Sequence, residues 1–226
     1  MKNPDVIIIG SGVAGVSVAF PLVESGLRVC MLDFGNHDPD QNYLEDSIYN
    51  LRKNGSDYSY YVLGNNFEGI GGKQNETPKM KVPQYKYVRK DFLEEYSIKP
   101  KNINPTGSLS MGGLSNMWGA GVFPYIDEDL QGSFLYYNDL KISYESIARR
   151  IGISGANDDM AKSFGKDIPL LDPIELHQNA RSLLNRYSNR EKRENETFIL
   201  GYNRNAVISK DYDGRNACSL ENSCLW

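Results

Sequence analysis

Apolar positions change period sharply within the first thirty residues. Val6-Ile7-Ile8-Ile9 is a wholly apolar, β-branched run without polar alternation, the pattern of a central parallel strand buried on both faces. Val13, Val16, Phe20 and Val23 then recur at steps of three and four, which predicts a helix with one apolar face. Gly26 is placed to cap its C-terminus. Pro21 removes one backbone donor inside that helix, at a cost of ~3 kcal/mol, and predicts a kink. Arg28-Val29-Cys30-Met31-Leu32 reads as a second strand. Strand, helix and strand in this order predict an α/β fold around a central parallel sheet.

Patterning is weaker further on. Residues 36–106 are polar, tyrosine-rich and turn-rich, and read as an excursion from the opening fold. Within them Met80-Lys81-Val82 and Tyr85-Lys86-Tyr87-Val88 alternate like short strands interrupted by Pro83. Ser143 is a candidate helix cap, with Tyr144, Ile147, Ala148 and Ile151 on one face and Gly152 after it. Asp172-Pro173-Ile174-Glu175 has the makings of another helix start. Leu176, Ala180, Leu183, Leu184 and Tyr187 would be its buried stripe. Thr197-Phe198-Ile199-Leu200 and Ala206-Val207-Ile208 read as short strands, and Asp213-Gly214 as a turn.

The link between the first strand and helix carries the chemistry. In Gly10-Ser11-Gly12-Val13-Ala14-Gly15, the first glycine permits a tight turn and the second lets backbone approach a pyrophosphate. The third lets the helix pack close to the strand. Free amides at the helix start, carrying a partial positive charge of about half a unit, would face the phosphates. Asp33, eighteen residues after Gly15, lies near the spacing at which an acid holds an adenosine ribose; Phe34 and Gly35 follow it as candidate contacts. A carboxylate ~4 Å from a 2′-phosphate, at an effective dielectric near 20, would be disfavoured by about 4 kcal/mol. The cofactor is therefore expected to carry a 2′-hydroxyl, as FAD and NAD do and NADP does not. An NAD-dependent dehydrogenase would use this motif alone.

A second glycine-dense stretch lies about a hundred residues on. Gly107 to Gly121 holds five glycines, interleaved with Leu109, Met111, Leu114, Met117 and Trp118. Such a stretch is poor at helix or strand, and its large apolar side chains suit a loop buried against something planar.

Composition narrows the field. With 25 basic and 29 acidic residues in 226, the net charge is −4, which argues against a nucleic-acid or anionic-membrane partner. Val6 to Val23 is uncharged and invites a signal-peptide or anchor reading. Three glycines, Pro21 and Asp5 ahead of the stretch speak against it, so no membrane span is expected. Cys30, Cys218 and Cys224 make no disulfide framework, which fits a reducing, cytoplasmic compartment.

Gly112-Gly113-Leu114-Ser115-Asn116-Met117-Trp118 resembles the flavin-side loop of the glucose–methanol–choline family of FAD-dependent oxidoreductases, nearest in form to its pyranose oxidase branch. The likeness continues through Phe123-Pro124-Tyr125, Asp127-Glu128-Asp129 and Ile142-Ser143-Tyr144-Glu145 to Ile151-Gly152-Ile153-Ser154-Gly155. It implies a Rossmann-like FAD-binding domain spanning residues 1–226, with part of a small β-rich region, incomplete relative to the family. Gly112, Gly113, Ser115, Asn116 and Trp118 would line the flavin, with Gly10 to Gly15 on the pyrophosphate. Met117 stands where the pyranose oxidase branch has a histidine that can carry flavin covalently, so the resemblance implies non-covalent FAD. The activity implied is oxidation of a CH–OH group of an alcohol, sugar or polyol.

The family's catalytic histidine belongs to a later part of its chain. His37 and His177 match no such position, so no catalytic residue is assigned. A missing C-terminal part or a second chain would complete the active site; otherwise the chain is a non-catalytic flavin-binding module. Some relatives carry cysteines three residues apart near position 218, but Glu221 stands at the next such position. Free thiols, and no metal site, are expected.

Overall fold

The computed structural model describes residues 3–35, 53–54, 59–70, 81–89, 92, 99, 101–102, 105–165, 168–190 and 198–220. Two compact units divide the chain, the first running to Trp118 and the second spanning Gly119–Leu220.

The first unit opens with β1 (Val6–Ile9), α1 (Val13–Glu24) and β2 (Val29–Leu32). The strands pair in parallel, Val6 opposite Val29 and Ile9 opposite Leu32. This βαβ unit is the predicted α/β arrangement in its smallest form. α1 runs through Pro21 to Glu24 and closes as a Schellman motif. The Gly26 amide donates to Val23 O at 2.9 Å and the Leu27 amide to Leu22 O at 3.1 Å, with Gly26 at φ +84°.

The strands are not buried on both faces. Ile8, on the α1 side, is 8% exposed, whereas Ile9 is 87% exposed. Ile7 and Ile9 share a face with Leu32, and all three are open to solvent; a parallel ladder is buried twice over only where elements cover both sides. Likewise Val13, Val16, Phe20 and Val23 form no buried stripe, and α1 contains no buried residue.

The same unit holds α2 (Ser59–Leu63), a 3₁₀ turn Pro83–Tyr85 and the short helix α3 (Lys86–Arg89). Helix thus replaces the strand expected at Tyr85–Val88, and Val82 caps the turn in extended conformation; Met80 lies outside the described residues. Pro83 suits the first position of a helical turn because its fixed φ and missing amide cost nothing there. Tyr85 and Val88, three apart, are both buried and pack with Met117, Val82 and Tyr87. Two apolar sets, of period two and three, coincide in so short a run, and the proline decides between them. Most of the 36–106 excursion, including His37, lies outside the described residues.

The second unit contains α4 (Tyr137–Ile151), α5 (Ala161–Phe164) and α6 (Gln178–Ser188). Its core joins Ala148, Ile153 and Ile168, with Val122, Ile151 and Leu170 against them. Isolated bridges tie Ser154 to Leu171 and Asn205, and Gly121 to Asn205. Ile199 and Val207 lie outside any strand; Asn205 carries the pairing instead, and Thr197 is outside the described residues. Tyr212 and Arg215 exchange both backbone bonds across Asp213 (φ +50°) and Gly214 (φ +74°), the positive-φ pair of a mirror-image hairpin turn.

Two helix starts differ from expectation. α4 begins at Tyr137 because the Asp139 carboxylate accepts the Tyr136 amide at 2.8 Å, leaving Ser143 inside the helix. Gly152 does end it, at φ +75°. α6 begins after His177, whose Nδ1 accepts the Asn179 amide at 3.4 Å. The Leu171 amide donates to Ile153 O at 2.7 Å, and the Asp172 carboxylate pairs with Lys210, which holds Asp172-Pro173 out of the helix. Of the stripe predicted there, Tyr187 is buried and Leu184 half-buried, while Ala180 and Leu183 are exposed.

Candidate functional site

The turn after β1 is built as its glycines predict. Gly10 takes φ +97° and donates its amide to Leu32 O at 2.7 Å. Gly15 faces it so closely that a Cβ at position 15 would sit 2.0 Å from Gly10 O and 3.4 Å from the Ile8 side chain. That absence of a side chain is what seats α1 on β1. Gly12 is different. It is extended (φ −68°, ψ 178°) and caps α1, and a Cβ there would meet only Gly112 O, at 3.5 Å. The protein's own packing does not demand glycine at position 12.

The amides of Val13, Ala14 and Gly15 open α1 and have no intrahelical acceptor. They form the positive end of the helix dipole. The Ser11 amide is not free, since it donates to Asp33 Oδ2 at 2.7 Å. The Ser11 hydroxyl donates to the same oxygen at 2.6 Å, and the Gly35 amide donates to Asp33 Oδ1 at 2.8 Å. Hydrogen bonding, led by the Ser11 hydroxyl, holds the Asp33 carboxyl below the usual carboxylate range. Phe34 beside it is exposed.

The second glycine stretch lies against this turn, within the same unit. The Gly112 amide donates to Ser11 Oγ at 2.8 Å, across 101 residues of sequence. A Cβ at Gly113 would lie 3.9 Å from Gly12 Cα. Gly112 and Gly113 both have positive φ, +83° and +61°, a succession that L-residues disfavour. From there a 3₁₀ turn runs Gly113–Asn116. Ser115 Oγ donates to Gly112 O at 2.6 Å, and the Asn116 side-chain amide donates to Met111 O at 2.8 Å and Gly113 O at 3.0 Å. Ser115 and Asn116 therefore spend these donors closing the loop on itself. Ser110, 2% exposed, takes a hydroxyl contact from Ser108 at 2.7 Å and was not singled out in the sequence.

The apolar members of the loop diverge. Met117 is 6% exposed and packs with Tyr85 and Val88, whereas Met111 is 65% exposed and is buried against nothing. Trp118 is half-buried. His177, exposed, caps α6 in the other unit. Cys30 is half-buried and Cys218 exposed; Cys224 lies outside the described residues. Among the described residues no group of three or more His, Cys, Asp or Glu side chains could hold a metal ion, and no helix is long and apolar enough to cross a membrane.

Fold and site define an α/β protein built on a Rossmann-like βαβ unit, with a second glycine loop seated on its glycine-rich turn. No family model matches the chain. Over 240 residues it is 25% identical to the fructose dehydrogenase large subunit of Gluconobacter japonicus, a similarity covering 99% of this chain. The chain spans 40% of that protein's length. The chain is thus distantly similar to a dehydrogenase subunit.

Proposed function

We propose that this chain is the FAD-binding portion of a flavin-dependent oxidoreductase of the glucose–methanol–choline type, acting on CH–OH groups. The observation that carries the reading is the junction of the two glycine loops, Gly112 on Ser11. One loop alone would suit any dinucleotide; a second loop seated on it extends the site beyond the phosphates.

The residues fit such a cofactor. Val13, Ala14 and Gly15 offer amides at a helix start to the pyrophosphate, and bare backbone at Gly12 lets it approach. Asp33 accepts three hydrogen bonds from its own chain. Of about four acceptor positions on a carboxylate, one is left for a ribose hydroxyl. Gly112, Gly113, Ser115, Asn116 and Trp118 form the wall along which the ring system would lie, with Phe34 and Gly35 at the adenosine end. Met117 has no nucleophilic atom suited to a flavin bond and faces the core, so FAD is held non-covalently. Bound flavin supplies a hydride acceptor at N5, and the protein positions it.

A sugar or polyol substrate is favoured over a simple alcohol by similarity to a protein named for fructose. A second polypeptide is favoured because that protein is a large subunit. The pyranose oxidase branch rests on the loop motif alone, and the treatment of residues 1–226 as one domain rests on the wider resemblance that runs to Gly155. A second reading, a flavin-binding module without catalysis of its own, is favoured by the placement of His177 as an exposed helix cap. An NAD-dependent dehydrogenase leaves the loop junction without a purpose.

The test is to mix the purified chain with FAD, pass it through gel filtration, and add sugars and polyols without oxygen. Co-elution of flavin supports the cofactor reading, and bleaching by a sugar supports the oxidoreductase. Co-elution without bleaching, by the chain alone or with a co-expressed partner, favours the module. A colourless protein fraction rejects both.

A further inference from the structure

In a phosphate-binding turn the backbone matters and side chains such as that of Ser11 are ordinarily incidental. Its geometry says otherwise. A serine hydroxyl has one proton and two acceptor positions. Here the proton goes to Asp33 Oδ2 at 2.6 Å, and the same carboxylate oxygen takes the Ser11 amide at 2.7 Å. Fixed at both its amide and its hydroxyl, Ser11 can offer Gly112 only an acceptor, and the Gly112 amide takes it at 2.8 Å.

We infer that Ser11 is a positioning residue that clasps the second glycine loop to the first, with Asp33 setting the direction of the clasp. The loop needs such a hold. Gly112 and Gly113 are left-handed in succession, and Ser115 and Asn116 bond within the loop rather than to the opening turn. Asp33 thereby serves the loop at the redox end of the site as well as the ribose end. The purpose assigned to the clasp rests on the FAD reading; the clasp itself does not.

Amide exchange at Gly112, measured without cofactor, tests the clasp directly. Ser11→Ala is expected to speed exchange at Gly112 about two- to tenfold, the worth of one net hydrogen bond, and Ser11→Thr to restore the wild-type rate. Thermal melts monitored by circular dichroism confirm that each variant is folded. In parallel, FAD titration should show Ser11→Ala weakened by a similar factor and Ser11→Thr near wild type. Unchanged Gly112 exchange in folded Ser11→Ala overturns the clasp, whatever FAD does. Faster exchange with undiminished FAD affinity overturns its positioning role. If wild-type protein ignores FAD while Ser11→Ala still frees Gly112, the clasp stands and the flavin reading falls.

Discussion

Gly12 and Gly15 stand three residues apart in one motif, yet the structure gives them opposite dependence on the protein's own packing. At Gly12 an added Cβ would meet Gly112 O at 3.5 Å, an ordinary contact, and φ −68°, ψ 178° is open to any residue. Gly12→Ala should gain about 0.4–1 kcal/mol through the unfolded chain. It should lose a similar amount because alanine is a poorer helix cap than glycine. Folding stability should thus stay within about 1 kcal/mol of wild type. On the proposed pyrophosphate site, the same methyl would stand where a phosphate approaches. If the overlap costs what overpacking usually does, about 1–3 kcal/mol, FAD affinity falls roughly 5- to 150-fold. At Gly15 the Cβ would lie 2.0 Å from Gly10 O, so α1 must lift off β1 by about 1 Å, at a stability cost of about 1–3 kcal/mol or more. Urea titration by circular dichroism and calorimetric FAD titration on both variants separate the two roles. A folded Gly12→Ala protein that binds FAD like wild type would refute the pyrophosphate site. A Gly15→Ala protein of undiminished stability would refute the helix–strand packing.

Two other predictions follow from individual side chains. The Asp33 pKa is depressed in the folded state, so its contribution to stability is complete above the unfolded carboxyl value near 4. It is lost as pH falls through the lower folded value; Asp33→Asn should therefore flatten the acid side of a stability–pH curve below about pH 4, and an unchanged curve would show that Ser11 does not hold the charge. Arg204, 1% exposed, donates to Phe164 O, Gly165 O and Asn157 Oδ1 while its Nε has no partner among the described residues; Arg204→Met would leave two half-buried carbonyls without their donor and should cost about 2–4 kcal/mol by denaturant titration.

Legibility in the sequence followed how local each signal was. The opening βαβ unit was readable because its strands, glycines and cap are set by neighbours within a few residues, down to the Schellman closure at Gly26. Asp213-Gly214 was readable for the same reason. What failed depended on distant partners or on two local signals in competition. Asp172-Pro173 has the residues of a helix start, but Leu171 is drawn into pairing with Ile153 and Gly155. Ser143 lost the cap to an aspartate four residues before it, where Asp139 reaches back to Tyr136. Tyr85-Val88 fits two periods, and only Pro83 and burial against Met117 choose the helical one. At the site, the need for glycine at 10 and 15 could be read, but the role of the Ser11 side chain could not. Nothing in a linear motif says that a residue 101 positions away will use its hydroxyl.

If both loops serve one cofactor, Trp118 reports on it. Titrating FAD, NAD and NADP into the wild-type chain and a Trp118→Phe variant while following tryptophan fluorescence asks the question at both ends at once. Saturable quenching by FAD at one per chain is expected, largely absent in Trp118→Phe, with weaker or no response to NAD and NADP. Saturable binding of NAD with no effect of FAD, or FAD binding that leaves Trp118 fluorescence untouched, would contradict it.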